Sequence, residues 1–174
     1  LKNYLQYRKD DITYLAMIDW DRYDTNMLPY CAHDTIDAVR VVFPRGKVHE
    51  GIKVAENIRK KGYSVFLQAA NTLGYSDEDL AELAIAVNEF KPIALSVVDT
   101  FGAMYYEDIE HIVKFLDSRL DEGIELGFHS HNNQQLSFAL TMQFIELLKN
   151  SKRNVIVDAS LSGMGRGAGN ATTE

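Results

Sequence analysis

Cysteine is almost absent from this sequence: Cys31 stands alone among 174 residues. An internal disulfide is excluded, and a reducing, cytoplasmic setting is the default expectation. Proline occurs three times, and no low-complexity stretch or repeat beyond a strand–helix unit interrupts the chain. Long apolar runs are missing too. The longest nearly apolar segment is Pro92 to Val98, far short of the roughly 18 residues a membrane span requires. The opening LKNYLQYRKDD is polar and charged, unlike a secretory leader. Positive charge is in deficit: 18 basic against 25 acidic side chains give a net charge of −7. A nucleic-acid-binding surface is therefore not expected. The basic groups Arg59, Lys60, Lys61 and Lys149, Lys152, Arg153 read as helix-end charges. What is present is a 46% hydrophobic complement, enough for one domain over residues 1–174 with a substantial core. The chain opens at Leu1 rather than Met, and we read it as part of something longer.

Apolar runs and amphipathic stretches alternate. Strands are predicted at Ile12–Asp19, Ala38–Phe43, Ser64–Ala70, Ile93–Val98, Glu125–Phe128 and Val155–Ala159. Between them, helical spacing shows in Val48–Lys61 and in the set Leu80, Leu83, Ala84, Val87, Phe90 after a capping-box-like Ser76-x-x-Asp79. It recurs in Ile109, Ile112, Val113, Leu116 and in Leu136, Leu140, Phe144, Leu147. This order predicts an α/β fold with a parallel sheet, either an open doubly wound sheet or part of a closed (β/α)8 barrel. In both, ligands bind at the C-terminal ends of the strands, so polar residues just after strands are the candidates.

Three segments meet that rule. His129 and His131, in Phe128-His129-Ser130-His131, share a face at strand spacing. They are either divalent-metal ligands or hydrogen-bonded loop residues. Asp158 to Asn170 carries glycines at 163, 165, 167 and 169. It matches neither the dinucleotide fingerprint nor a P-loop. It is either a flexible turn or a loop folding back over a metal, with Asn170 offering an oxygen and Arg166 a charge for a carboxylate. Asp99, after the fourth strand, is a ligand, a hydrogen-bond partner or a cap. Gln68 and Asn71 read as structural. Arg40, inside a strand, requires a partner if buried. His49 and His111 read as solvated, Cys31 and His33 lie in a loop, and Tyr105 and Tyr106 line a pocket or pack on a helix. No Gly-x-Ser-x-Gly elbow supports serine hydrolysis.

Together, VVDTFG, GFHSHNN and VDASLSGMGRGAGNATTE closely resemble the last three strands of the metal-dependent aldolase/lyase barrel family. That family includes 4-hydroxy-2-oxovalerate aldolase, 3-hydroxy-3-methylglutaryl-CoA lyase and isopropylmalate synthase. The resemblance implies a (β/α)8 TIM barrel of which this chain supplies about strands 3 to 8. It implies a divalent cation held by His129, His131 and Asn170, manganese first, with magnesium, cobalt or zinc as alternatives. Asp99, Arg166 and Glu174 become catalytic candidates. The family's opening Arg-Asp pair and its general base lie outside this chain. The biotin-dependent carboxyltransferases carry lysine where Val98 stands, which counts against them. The implied activity is cleavage of a 4-hydroxy-2-oxo acid to pyruvate and an aldehyde. A synthase or lyase using acyl-CoA and a non-catalytic binding segment are the competing expectations. A 2-oxo acid is the expected ligand, with a homo-oligomer or a partner aldehyde dehydrogenase as the macromolecular associations.

Overall fold

In a computed structural model of the chain, describing residue 5 and residues 7–32 and 35–173, the six apolar runs become parallel strands paired in chain order. They are β1 (Leu15–Asp19), β2 (Ala38–Pro44), β3 (Ser64–Ala70), β4 (Ala94–Asp99), β5 (Glu125–Ser130) and β6 (Val155–Val157). Four helices cross over between them: α1 (Val48–Lys60), α2 (Asp77–Phe90), α3 (Tyr106–Asp117) and α4 (Ser137–Leu148). This is the parallel strand–helix alternation of a partial (β/α)8 barrel.

Local chemistry sets the boundaries. Ser76 caps α2, its hydroxyl accepting from the Asp79 N–H while Asp79 accepts from the Ser76 N–H at 2.7 Å. The expected apolar faces are the buried ones: Leu80, Leu83, Ala84, Val87 and Phe90 on α2, and Ile109, Ile112, Val113 and Leu116 on α3. Strand ends differ modestly from expectation. β1 starts at Leu15 because Ile12 is exposed and unpaired with β2, and β6 ends at Val157. β5 runs two residues further than predicted, to Ser130, so His129 lies within the ladder.

The clustered arginines do act at helix ends. Arg59 donates to the carbonyls of Phe90 and Lys91 at the end of α2, each at 2.7 Å. Arg153 is buried and spends all five of its N–H donors below α3. It donates to Asp117 Oδ1 and to the carbonyls of Asp117, Leu120, Asp121 and Ile124. These are orphan carbonyls of the kind that end every helix.

Alternation assigns each strand residue to a side. Phe128 stacks on Phe144 of α4 with ring centroids 5.5 Å apart, so Phe128 and its same-face neighbours Leu126 and Ser130 meet the helix layer. His129 therefore faces the opposite side, the barrel lumen, with its register partner Val98. The sheet must curl toward that side. Arg40 on β2 and Asp158 just past β6 form a salt bridge at 2.5 Å, although β3, β4 and β5 stand between their strands. In a flat sheet four strand spacings would separate them by about 19 Å, beyond the reach of the two side chains.

Candidate active site

The site is built where β5 and β6 end. His129 and His131, two apart, present their rings to one side with centroids 5.1 Å apart and nearly perpendicular. Their inner nitrogens are both occupied. His129 Nδ1 lies 2.9 Å from Asp158 Oδ2, and His131 Nδ1 lies 3.3 Å from the backbone oxygen of Arg166. A carboxylate and a carbonyl only accept, so Nδ1 is the donor in each ring, and in the neutral imidazole Nε2 keeps its lone pair. Among the described residues, neither Nε2 has a hydrogen-bond partner.

Asp158 is held from a second direction, by both terminal nitrogens of Arg40, at 2.5 and 3.2 Å. Burial pushes its carboxyl up, but His129 and Arg40 outweigh that and hold it below the ordinary value of 3.8. His131 is held below its ordinary 6.5, first by burial and then by the neighbouring His129, whose protonated form would repel a second charge. It is therefore neutral near pH 7, as a metal ligand must be.

The glycine segment folds back over the strand ends. A short 3-10 turn, Leu161–Gly163, leads into it, and Asn170 forms a bridge with His131. The Asn132 N–H donates to the Gly169 carbonyl at 2.8 Å, and the Asn170 N–H donates to the Gly163 carbonyl at 3.1 Å. Glycine at 169 is a steric requirement: φ is +91°, and an added Cβ would sit 2.1 Å from the Gly163 oxygen. A Cβ at Gly165 would fall within 2.8 Å of the Asn170 amide. Asn170 is thus pinned beside His131. Its Nδ2 donates to the Met164 carbonyl, while its Oδ1 is buried and has no partner. A buried amide oxygen without a donor is costly unless something else satisfies it. Two imidazole lone pairs and that oxygen suit a divalent cation of the manganese-to-zinc series. Among the described residues no three His, Cys, Asp or Glu side chains converge, so the amide oxygen is needed to complete a three-donor set.

A cleft of about 340 Å³ opens beside these groups, lined also by Asp19, Gln68, Val98, Thr100 and Arg166. The Arg166 guanidinium is exposed there, while its own backbone oxygen orients His131. The Asp99 carboxylate makes its hydrogen bonds to main-chain N–H groups. Asp99 pairs in register with Ser130, on the helix side of the sheet, and its oxygens accept from the Ala103 and Met104 N–H groups at 2.8 and 3.1 Å. Its carboxylate closes the loop after β4, the capping alternative, while its main-chain oxygen accepts from the His131 N–H at 3.2 Å and its charge acts on the His131 ring. Glu174 and His33 lie outside the described residues. His49 and His111 sit on exposed helix surfaces, paired with Glu82 and Asp77. Tyr106 lines a shallow apolar groove with Phe138 and Met142, away from the histidines. Gln68, which reads from the sequence as structural, has a buried Oε1 without a partner, and the sequence reading underweights Asp158. The signal for Asp158 was there: an acidic residue straight after the apolar Val155-Ile156-Val157.

Because His131 has a folded pKa below the unfolded 6.5, its contribution to stability is present above pH 6.5 and is lost as pH falls below it. The urea midpoint is expected to fall between roughly pH 7 and pH 5, and His131→Gln is expected to flatten that slope. An unchanged slope in the variant would assign the titration elsewhere.

Fold and site together define a (β/α)-barrel segment with a polar centre at the C-terminal ends of its strands. Residues 44–174 match the HMGL-like family, and the chain belongs to it. It is 39% identical to 4-hydroxy-2-oxovalerate aldolase from Thermomicrobium roseum over 97 residues, 56% of this chain and 25% of that protein. It is 27% identical to oxaloacetate decarboxylase from Mycobacterium tuberculosis over 143 residues, 82% of this chain and 40% of that protein. The HMG-CoA lyase structure from Bacillus subtilis superposes with a TM-score of 0.74 at 22% identity, covering 96% of this chain and 61% of that one. The matched stretch therefore spans a quarter to two-fifths of these curated relatives' length. No described helix is long and apolar enough to cross a membrane.

Proposed function

We propose that this chain carries the metal-holding wall of a divalent-metal-dependent aldolase that cleaves a 4-hydroxy-2-oxo acid to pyruvate and an aldehyde. The observation that carries the reading is one cleft lined by two imidazoles, each with Nδ1 committed, and by Asn170, whose buried Oδ1 has no partner. His129 Nε2, His131 Nε2 and Asn170 Oδ1 would hold the cation. When bound, it supplies Lewis-acid stabilisation of the charge that develops at the 2-oxo oxygen as the carbon–carbon bond breaks. Asp158 and the Arg166 carbonyl fix the ring orientations. The Arg166 guanidinium binds the substrate carboxylate at the cleft. Gln68, buried on the lumen side with a free oxygen, accepts a substrate hydroxyl.

The longer match to the decarboxylase supports a second reading, cleavage of a 2-oxo acid with loss of carbon dioxide. Both readings place a 2-oxo acid on the same groups. The test is pyruvate release by the full-length protein from 4-hydroxy-2-oxovalerate and from oxaloacetate, after chelation and after Mn2+ is restored. Mn2+-dependent release with a stoichiometric aldehyde is the expected result. Release from oxaloacetate alone would establish the second reading. No release from either acid, together with competition by acyl-CoA for bound Mn2+, would replace both with a thioester substrate.

A further inference from the structure

We infer that Asp158, clamped by Arg40 across the lumen, is a positioning residue that sets the tautomer in which His129 presents Nε2 to the cleft. The consequence for metal binding rests on the function proposed above. The tautomer itself is a property of the metal-free protein.

The two oxygens of Asp158 carry three hydrogen bonds from two opposed partners. Oδ2 receives Arg40 Nη1 and His129 Nδ1, and Oδ1 receives Arg40 Nη2. Arg40 has donors only and approaches from β2, 118 residues away in the chain. Packing does not call for an arginine under the cleft. Its Nε is buried without a partner, and an apolar side chain of similar volume would fill the space without desolvating a charge. What the guanidinium does is hold the carboxylate so that one acceptor oxygen stays aimed at Nδ1. The other imidazole has no such dependence, because its Nδ1 faces a main-chain oxygen. Of these two rings, it is His129 that takes its tautomer from a side chain.

This arrangement separates the acceptor from the charge. Asp158→Asn keeps an oxygen at the Oδ2 position, where Arg40 Nη1 and His129 Nδ1 both donate, and gives up only the 3.2 Å contact with Arg40 Nη2. The tautomer is therefore kept. Asp158→Leu removes both acceptor oxygens, so Nδ1 loses its partner and the ring shows both tautomers. Arg40→Met alone leaves the carboxylate accepting and the tautomer unchanged.

The experiment uses the full chain with 15N-labelled histidine. Long-range 1H–15N correlation reads the His129 tautomer without metal, Mn2+ affinity is read by electron paramagnetic resonance, and circular dichroism confirms folding. Expected are Nδ1–H in the wild type and in Asp158→Asn, and both tautomers in Asp158→Leu, with Mn2+ bound about 10–100-fold more weakly in the leucine variant. A pure Nδ1–H population in Asp158→Leu, or Nε2–H in Asp158→Asn, would overturn the inference. If Asp158→Leu does not fold, Asp158→Ala replaces it with the same expected and overturning outcomes. A wild type that shows Nδ1–H but binds no Mn2+ would sink the proposed function and leave the tautomer assignment standing.

Discussion

His131→Ala is expected to abolish Mn2+-dependent pyruvate release and to weaken Mn2+ binding by at least about a hundredfold. Even partners that only orient a ligand cost 10–100-fold when removed, and His131 is one of three donors this chain offers. The effect on folding should be small. The ring is partly exposed, and its one hydrogen bond, to the Arg166 carbonyl, is a long one at 3.3 Å. That separation between lost binding and kept structure is what makes the variant informative. His49→Ala is the matched control, since His49 lies exposed on α1 beside Glu82. Turnover at the wild-type level with saturating Mn2+ in His131→Ala would take this residue out of the metal site.

Arg153→Met is expected to destabilise the fold by about 3–5 kcal/mol. Methionine fills much of the volume, so the loss is one of polar satisfaction. Four carbonyls and the Asp117 carboxylate would lose their donor in a place where the Arg153 side chain is 3% exposed. Water reaches that space poorly, and each stranded group carries its desolvation cost. For a chain of this size the melting temperature should drop by on the order of 10 °C. Arg153→Lys keeps the charge but not the planar fork, so it should fall between the two. A melting temperature within about 2 °C of the wild type in Arg153→Met would show that the carbonyls find other donors.

The layered order of strands and helices was legible in the sequence, because period-two and period-3.6 patterns report burial directly. So was the pairing of His129 with His131, since i and i+2 on a strand share a face whatever the fold around them. Three things were not. The orientation of Asp99 depends on register: one residue of parity sends Val98 to the lumen and Asp99 to the helices. The partner of Arg40 depends on sheet curvature, which brings together residues 118 apart and leaves no local trace in sequence. Arg153 reads in one dimension as a helix-end charge grouped with Lys149 and Lys152. Only the fold reveals that it lies buried beneath the end of α3.

The strand order has a kinetic meaning. Because each strand pairs with the next along the chain, from β1 through β6, every ladder closes over a short stretch of sequence. Such a topology has a low contact order for a parallel sheet and suits stepwise accretion of one unit onto the last, including during synthesis. The Arg40–Asp158 link is the exception, spanning 118 residues, so it closes after the intervening strands are in place. Its formation would then mark the moment when the growing arc reaches its final radius. Substitutions at this pair should accordingly speed unfolding far more than they slow folding.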